Sequence, residues 1–260
     1  MATQPFEGLT PAGDTSHTDC IVGALLPATP GVRFRIPGGY ESILRIHHPH
    51  HEGARWADVA PDLLVPGGDN VEVSWPLQER IDAEEGSLDT SIVDQLIPLL
   101  AAATSTSTRC HYGLWRGFGK FAPRSGLMVY TSAKSPWGRL RQRRAKAVLQ
   151  RRADATRQVA RHFIERCAVR EWWGGRDFAL FDGSVDDVRS IGSASLFAAL
   201  DGRQEIDRRS PQWWWPDDRT WFVATEIDDP WTYLAGTDDL IAAVEALDLE
   251  SVRVSYDDLW

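Results

Sequence analysis

An α+β fold is predicted by this sequence: a mixed or antiparallel sheet with flanking helices and one long inserted basic helix. Three observations carry the prediction. Stretches with two-residue alternation interleave with helical stretches, but without a regular strand–helix–strand rhythm, which disfavours a doubly wound parallel sheet. The chain has 260 residues, 43% hydrophobic and 25% charged, enough for one large core and ordinary for a globular protein. Residues 137–170 keep a helical period with no glycine or proline after Gly138.

The elements follow in chain order. Residues 1–19, rich in Pro, Gly, Thr and Asp, read as a flexible tail. "YESILRI" (40–46) alternates as a strand and is stopped by Pro49, which has no ladder donor. "ARWADVAPDLL" holds a short helix ending before Pro61. "SLDTSIVDQLIPLLAAAT" is a helix capped by Thr90 or Ser91 and kinked at Pro98, with Ile92, Leu96, Leu99 and Leu100 on one face. "CHYGLWRGFG" (110–119) is a strand. Within the basic helix, Ala145, Val148, Leu149, Val159, Ala160, Phe163 and Cys167 form an apolar stripe. "RDFALFDG" (176–183) is a strand, and "SVDDVRSIG" a short helix capped by Ser184. "RTWFVATEID" (219–228) is the strongest strand, "GTDDLIAAVEAL" a helix capped by Thr237, and "SVRVSY" (251–256) a closing strand. The domain reading is a tail (1–19), a single α+β core (20–132 and 171–260) and a basic helical insertion (133–170).

Charge is unevenly placed. Residues 134–170 carry twelve Lys and Arg against Asp154 and Glu165, while the whole chain has a net charge of −9. Only three basic residues are lysine (Lys120, Lys134 and Lys146), so arginine abundance reflects general usage and not phosphate recognition as such. Cys20, Cys110 and Cys167 are odd in number and widely spaced, which excludes a disulfide framework and a zinc ribbon. "MATQPFEGLTPAGD" lacks the basic and apolar regions of a secretory leader. The longest apolar run, Leu96 to Ala103, falls short of the roughly 20 residues a membrane span needs. A cytoplasmic protein is expected.

Three surfaces are candidates for function. Tryptophan occurs twelve times, and "SPQWWWPDDRTWF" holds four of them. Three consecutive indoles cannot share one side of an extended chain, so one is expected at the surface, where a half-exposed indole suits a protein partner. The partner-binding set is Trp213, Trp214, Trp215, Asp217, Arg219 and Trp221. The second surface is the basic helix, where Arg139, Arg141, Arg143, Arg144, Lys146, Arg151, Arg157 and Arg161 can track the phosphates of a nucleic acid. The third is "HHPHH": His47, His48, His50 and His51 are the residues of a possible metal-dependent hydrolase site. In an extended chain they face opposite sides, and none has HExxH spacing, so a histidine-rich strand end is preferred. No cofactor is expected, since "RGFGKF" is neither GxGxxG nor a Walker A loop. The acidic doublets, such as Asp217–Asp218 and Asp228–Asp229, are not expected to converge.

Seven segments together carry a resemblance: "YESILRIHHP", "RWADVA", "EEGSLDTSIVDQLIPLL", "CHYGLWRGFG", "FALFDG", "WWWPDDRTWFVATEID" and "TYLAGTDDLI". They resemble a family of uncharacterised actinobacterial proteins, over about 40–119 and 178–241. The most specific piece runs from Trp215 to Thr225. The family has no established activity, so the resemblance implies kinship and not function. In its pattern the strand ends in His-Pro, matching His48–Pro49, while the extra histidines and the basic insertion depart from it. The leading expectation is therefore a non-catalytic binding or regulatory protein that recognises a protein partner. A nucleic-acid binder and a metal-dependent hydrolase are the alternatives.

Overall fold

A stretch in which both alternating positions are large and apolar fits a sheet covered on both faces, since each face needs its own apolar partner. Trp213–Trp214–Trp215 and Trp221–Phe222–Val223–Ala224 are such stretches, and the fold follows that rule. A computed structural model describes residues 4–25, 31–64, 82–118, 148, 151, 157–172, 175–194 and 206–258. The strands are β1 (Thr10–Pro11), β2 (Ser42–His47), β3 (Cys110–Trp115), β4 (Ala168–Trp172), β5 (Arg176–Gly183), β6 (Gly192–Ala194), β7 (Ile206–Arg208), β8 (Trp213–Pro216), β9 (Phe222–Ala224), β10 (Trp231–Gly236) and β11 (Ser251–Val254). Among the described residues one large sheet runs β1-β5-β3-β8-β9-β10-β2-β11, and β4 follows β1 along the outer edge of β5. β6 and β7 pair separately, and every described strand pairing is antiparallel. The α+β expectation, with helices against an antiparallel sheet, matches this architecture.

Helices cover one face. Leu44, Tyr112, Phe181, Trp214, Val223 and Leu234 pack against the helix Thr90–Ala102, the helical residues 157–166 and the helix Asp238–Glu245. The other face is covered by the segments before and after β2, where Ile21, Val32, Ile36 and Trp56 lie over Trp213, Trp215, Phe222, Trp231 and Tyr233. A buried ion pair joins this layer to the sheet margin: Arg35 Nε lies 2.8 Å from Asp229 Oδ2.

Several expectations need correction. Residues 4–19 are not a tail, because Phe6, Leu9 and Ala12 are buried and Thr10 pairs with Asp182. The cap of the Thr90–Ala102 helix is Asp89, which accepts from Ser91 N at 2.8 Å. Asp94, one turn into this helix, holds Arg189 and Arg208. In the basic segment the helix stops at residue 166, and Ala168–Trp172 crosses into the sheet as β4. There Ala160 and Ile164 are buried, while Val148 and Val159 are about half exposed, so the apolar stripe lies one position away from the one read at Val159. Arg139, Arg141, Arg143, Arg144 and Lys146 lie outside the described residues. Of 219–228 only Phe222–Ala224 is strand, because Glu226 to Asp229 turn back, with Asp229 N donating to Glu226 O at 3.1 Å. β8 and β10 were missed because neither alternates apolar with polar residues.

That turn sets a strict backbone demand. Gly86 has φ +68°, and a Cβ there would lie 2.5 Å from the carbonyl oxygen of Ile227. Gly86→Ala is expected to cost about 2–3 kcal/mol in urea unfolding, through strain and a clash together.

Candidate functional site

Among the described residues the four clustered histidines do not converge on a site. His48 is buried and spends both nitrogens: Nδ1–H donates to the Glu84 carbonyl at 2.5 Å, and Nε2 accepts from Thr232 Oγ1 at 2.8 Å. A carbonyl can only accept, which fixes that tautomer. Thr225 Oγ1 continues the chain to Thr232 at 2.7 Å. His47 lies in the core between Trp56 and Trp231, its Nδ1 3.3 Å from the carbonyl of Glu250. His50 accepts from Asp82 N at 3.1 Å, and His51 is exposed 4.0 Å from an Asp82 oxygen. Two imidazoles are structural and two are peripheral. The metal-site reading of His47, His48, His50 and His51 is therefore corrected.

The tryptophan face is corrected as well. Trp213, Trp214, Trp215 and Trp221 are 5%, 0%, 1% and 0% exposed. Alternation sends Trp214 to the helix face and its two neighbours to the other. Consecutive indoles do point to opposite sides, but both sides of this sheet are covered, so none reaches the surface. Of the six residues assigned to a partner, only Asp217 and Arg219 are exposed. Of the described basic-helix residues, Arg151 is exposed and Arg157 and Arg161 are half-buried.

Asp217 and Arg219 lie where the chain brings polar groups together. Antiparallel pairing places the starts of β2 and β3 and the ends of β5, β8 and β10 at one end of the sheet. The β8–β9 turn and the segment Asp14–Ala24 meet there. The turn closes with Arg219 N donating to Pro216 O at 2.9 Å. Asp218 braces it by accepting from Thr104 Oγ1, Ser105 N, Ser105 Oγ and Thr220 Oγ1 at 2.7, 2.9, 2.8 and 3.0 Å. Burial opposes the charge of Asp218, yet these bonds outweigh it and hold the carboxyl well below the usual range.

Arg219 then sits at φ +55°. Glycine adopts that conformation freely, whereas any other side chain costs about 1–2 kcal/mol there. Its guanidinium makes no ion pair among the described residues. Arg219 borders a cleft of about 470 Å³, lined also by Cys20, Ile21, Ala24, the Pro37–Gly39 turn, Tyr40, Glu41, Asp218, Thr220, Gly236 and Thr237. Tyr256 fixes that turn by donating to Pro37 O and accepting from Tyr40 N, both at 3.0 Å. Burial, then the neighbouring Tyr256, push the Tyr40 phenol up against the pull of Arg219, so it remains a neutral donor. The volume is that of a small-molecule site, which typically spans about 300–1,000 Å³.

Beside the cleft, sequence-distant groups stack. His17 lies on His111 with ring centroids 4.7 Å apart, and both lie against Trp215. His111 Nδ1 is 2.7 Å from Asp182 Oδ1, and its Nε2 is 3.4 Å from Asp217 Oδ1. Burial alone would depress His111; the bonds and charges of Asp182 and then Asp217 outweigh it and raise its pKa. His17 is depressed, first by burial, with the charge of Asp182 opposing. Cross-strand register is what joins His111 to Asp182 and Trp215. The sequence alone does not bring His17, His111 and Asp182 together, since pairing of β3 with β5 leaves no local signal.

Among the described residues no helix is long and apolar enough to cross a membrane. In comparisons with known proteins, no family model matches the chain, and neither does any curated protein or solved structure.

Proposed function

We propose that this chain is a non-catalytic binding protein that takes a small molecule bearing a carboxylate or phosphate into the cleft beside Arg219. One observation carries the reading: an arginine without an ion pair among the described residues occupies a left-handed turn position that suits glycine and borders a cleft of small-molecule size. Strain kept at an exposed turn is a mark of use, because selection for stability alone would remove it. A guanidinium fork matches the planar oxygens of either anion, the neutral Tyr40 phenol can add a donor, and Ile21 and Ala24 suit an apolar body on the ligand.

Binding is favoured over catalysis because His111, the group best placed for proton transfer, turns both nitrogens toward carboxylates. Burial pushes the Cys110 and Cys167 thiols up to about 12, which removes them as nucleophiles. Cys20 is exposed and all three cysteines are free, which suits a reducing, cytoplasmic setting. Recognition of a protein through tryptophans loses its carrier, since the indoles are core. The resemblance to a family of uncharacterised actinobacterial proteins adds no activity to this reading.

The test is calorimetric titration of the full chain with inorganic phosphate, succinate, citrate, a hexose phosphate and a nucleoside monophosphate. At least one is expected to bind with unit stoichiometry, and Arg219→Gly is expected to weaken that ligand more than about tenfold, as loss of a charge-assisted pair implies. Binding that survives Arg219→Gly unchanged, or no binding across the panel, contradicts the reading.

A further inference from the structure

We propose that His17, His111 and Asp182 form a binding site for one divalent transition-metal ion of the zinc class, separate from the Arg219 cleft. One ligand atom from each residue lies within 4.8 Å of the others. They come from three elements: the 3-10 turn Ser16–Thr18, β3 and β5. His111 and Asp182 are direct cross-strand partners, so the sheet itself sets their spacing. The turn presenting His17 is fixed from both sides. Asp14 accepts from Ser16 N at 2.8 Å, and Thr18 Oγ1 donates to Thr15 O at 2.6 Å.

The donor set fits the ion. Two imidazoles and one carboxylate are zinc ligands, and three protein ligands leave a fourth tetrahedral position for water. His17 Nε2 is screened from solvent and has no hydrogen-bond partner among the described residues, so its bonding capacity is unspent. His111 is already oriented. When Nδ1 takes the metal, Nε2–H faces Asp217 Oδ1 at 3.4 Å, and Asp217 in turn lies 3.3 Å from Arg109. A carboxylate behind a ligating imidazole fixes its tautomer and raises its basicity.

Two movements accompany capture. Zinc–ligand bonds of about 2.0–2.2 Å hold neighbouring ligand atoms roughly 3.3 Å apart. The His111–Asp182 contact of 2.7 Å therefore opens slightly, and the proton it shares is released to solvent. The stacked rings lie 16° from parallel, so the in-plane lone pairs run side by side. The His17 ring must turn about its Cβ–Cγ bond to aim a nitrogen at the ion. These are side-chain rotations within a fixed backbone.

The test uses the untagged full chain, stripped with EDTA and titrated with zinc chloride by calorimetry, with cobalt(II) absorption as a second readout. One zinc per chain is expected, together with the intense visible bands of four-coordinate cobalt. His17→Ala and Asp182→Asn are each expected to weaken zinc by roughly tenfold or more, and Asp217→Asn by less. His17 is half-exposed on a surface turn, so its variant is expected to fold, which circular dichroism checks. A His50→Ala/His51→Ala double variant is expected to keep full affinity, which separates this site from the exposed histidines. Arg219→Gly is also expected to keep it, so this test and that of the cleft fail independently. Absence of saturable zinc binding, affinity unchanged by His17→Ala, or affinity lost with His50 and His51 overturns the proposal.

Discussion

Trp214→Ala is expected to lower the free energy of unfolding by about 3–5 kcal/mol, the usual range for emptying a buried aromatic site. Trp214 is fully buried on the helix face of β8, with Tyr112 of β3 and Val223 of β9 as its direct neighbours in register. Its indole meets Trp221 edge-on at 5.7 Å, and Trp221 Nε1 donates to Leu100 O at 2.9 Å, tying the sheet to the Thr90–Ala102 helix. The cavity left by alanine would open between Tyr112, Val223 and Trp221, which belong to separate segments of the sheet. Urea unfolding followed by fluorescence and circular dichroism should show an earlier midpoint with a similar slope. Stability like that of the wild type would instead return Trp214 to the surface role first read from the sequence.

Acidification from pH 7 to pH 4 is expected to remove about 3 kcal/mol through His48 alone. Burial depresses this imidazole to about 4, from an ordinary value of 6.5, although the Glu84 carbonyl pulls the other way. Because the folded pKa is the lower one, the unfolded chain takes the proton first. Above pH 6.5 both states are neutral and His48 adds no pH dependence. As pH falls from 6.5 towards 4 the unfolded state gains protons that the folded state does not, and stability drops until both are protonated. Protonation also strips Nε2 of the lone pair that accepts from Thr232. Urea titrations at pH 7, 5.5 and 4.5 on wild type and His48→Gln measure the effect. The amide variant can keep one donor and one acceptor but cannot titrate, so its pH slope should be shallower by that amount. Identical slopes would show that acid acts elsewhere.

Much of the scaffold was legible where one local rule dominated. β5 was read from 176 to 183 as it stands, Ser184 caps the turn after it with Asp187 answering in a capping box, and Thr237 accepts from Leu240 N to start the last helix. Tertiary coverage hid the rest. Trp213–Pro216 and Trp231–Gly236 carry no alternation because both sheet faces are dry, so the period that reveals a half-wet strand is missing. Phe6 and Leu9 looked like parts of a tail because their neighbours are turn formers, yet a β5 edge strand takes only two residues to dock. Composition led attention to histidines 47 to 51, whereas the imidazoles that meet are 94 residues apart in the chain. Asp217 and Arg219, read only as members of a partner-binding set, are exposed, whereas the tryptophans of that set turn inward.

Arg219 is kept for a ligand and not for the fold in the proposed function, and one paired measurement separates these roles. Thermal unfolding of Arg219→Gly, without and with the anion that binds the wild type, reads both. Glycine relieves the left-handed strain, so the ligand-free variant should unfold no earlier than wild type and up to a few degrees later, while the ligand-induced rise in midpoint disappears. A variant that melts markedly earlier, or that keeps the full ligand-induced rise, would contradict it.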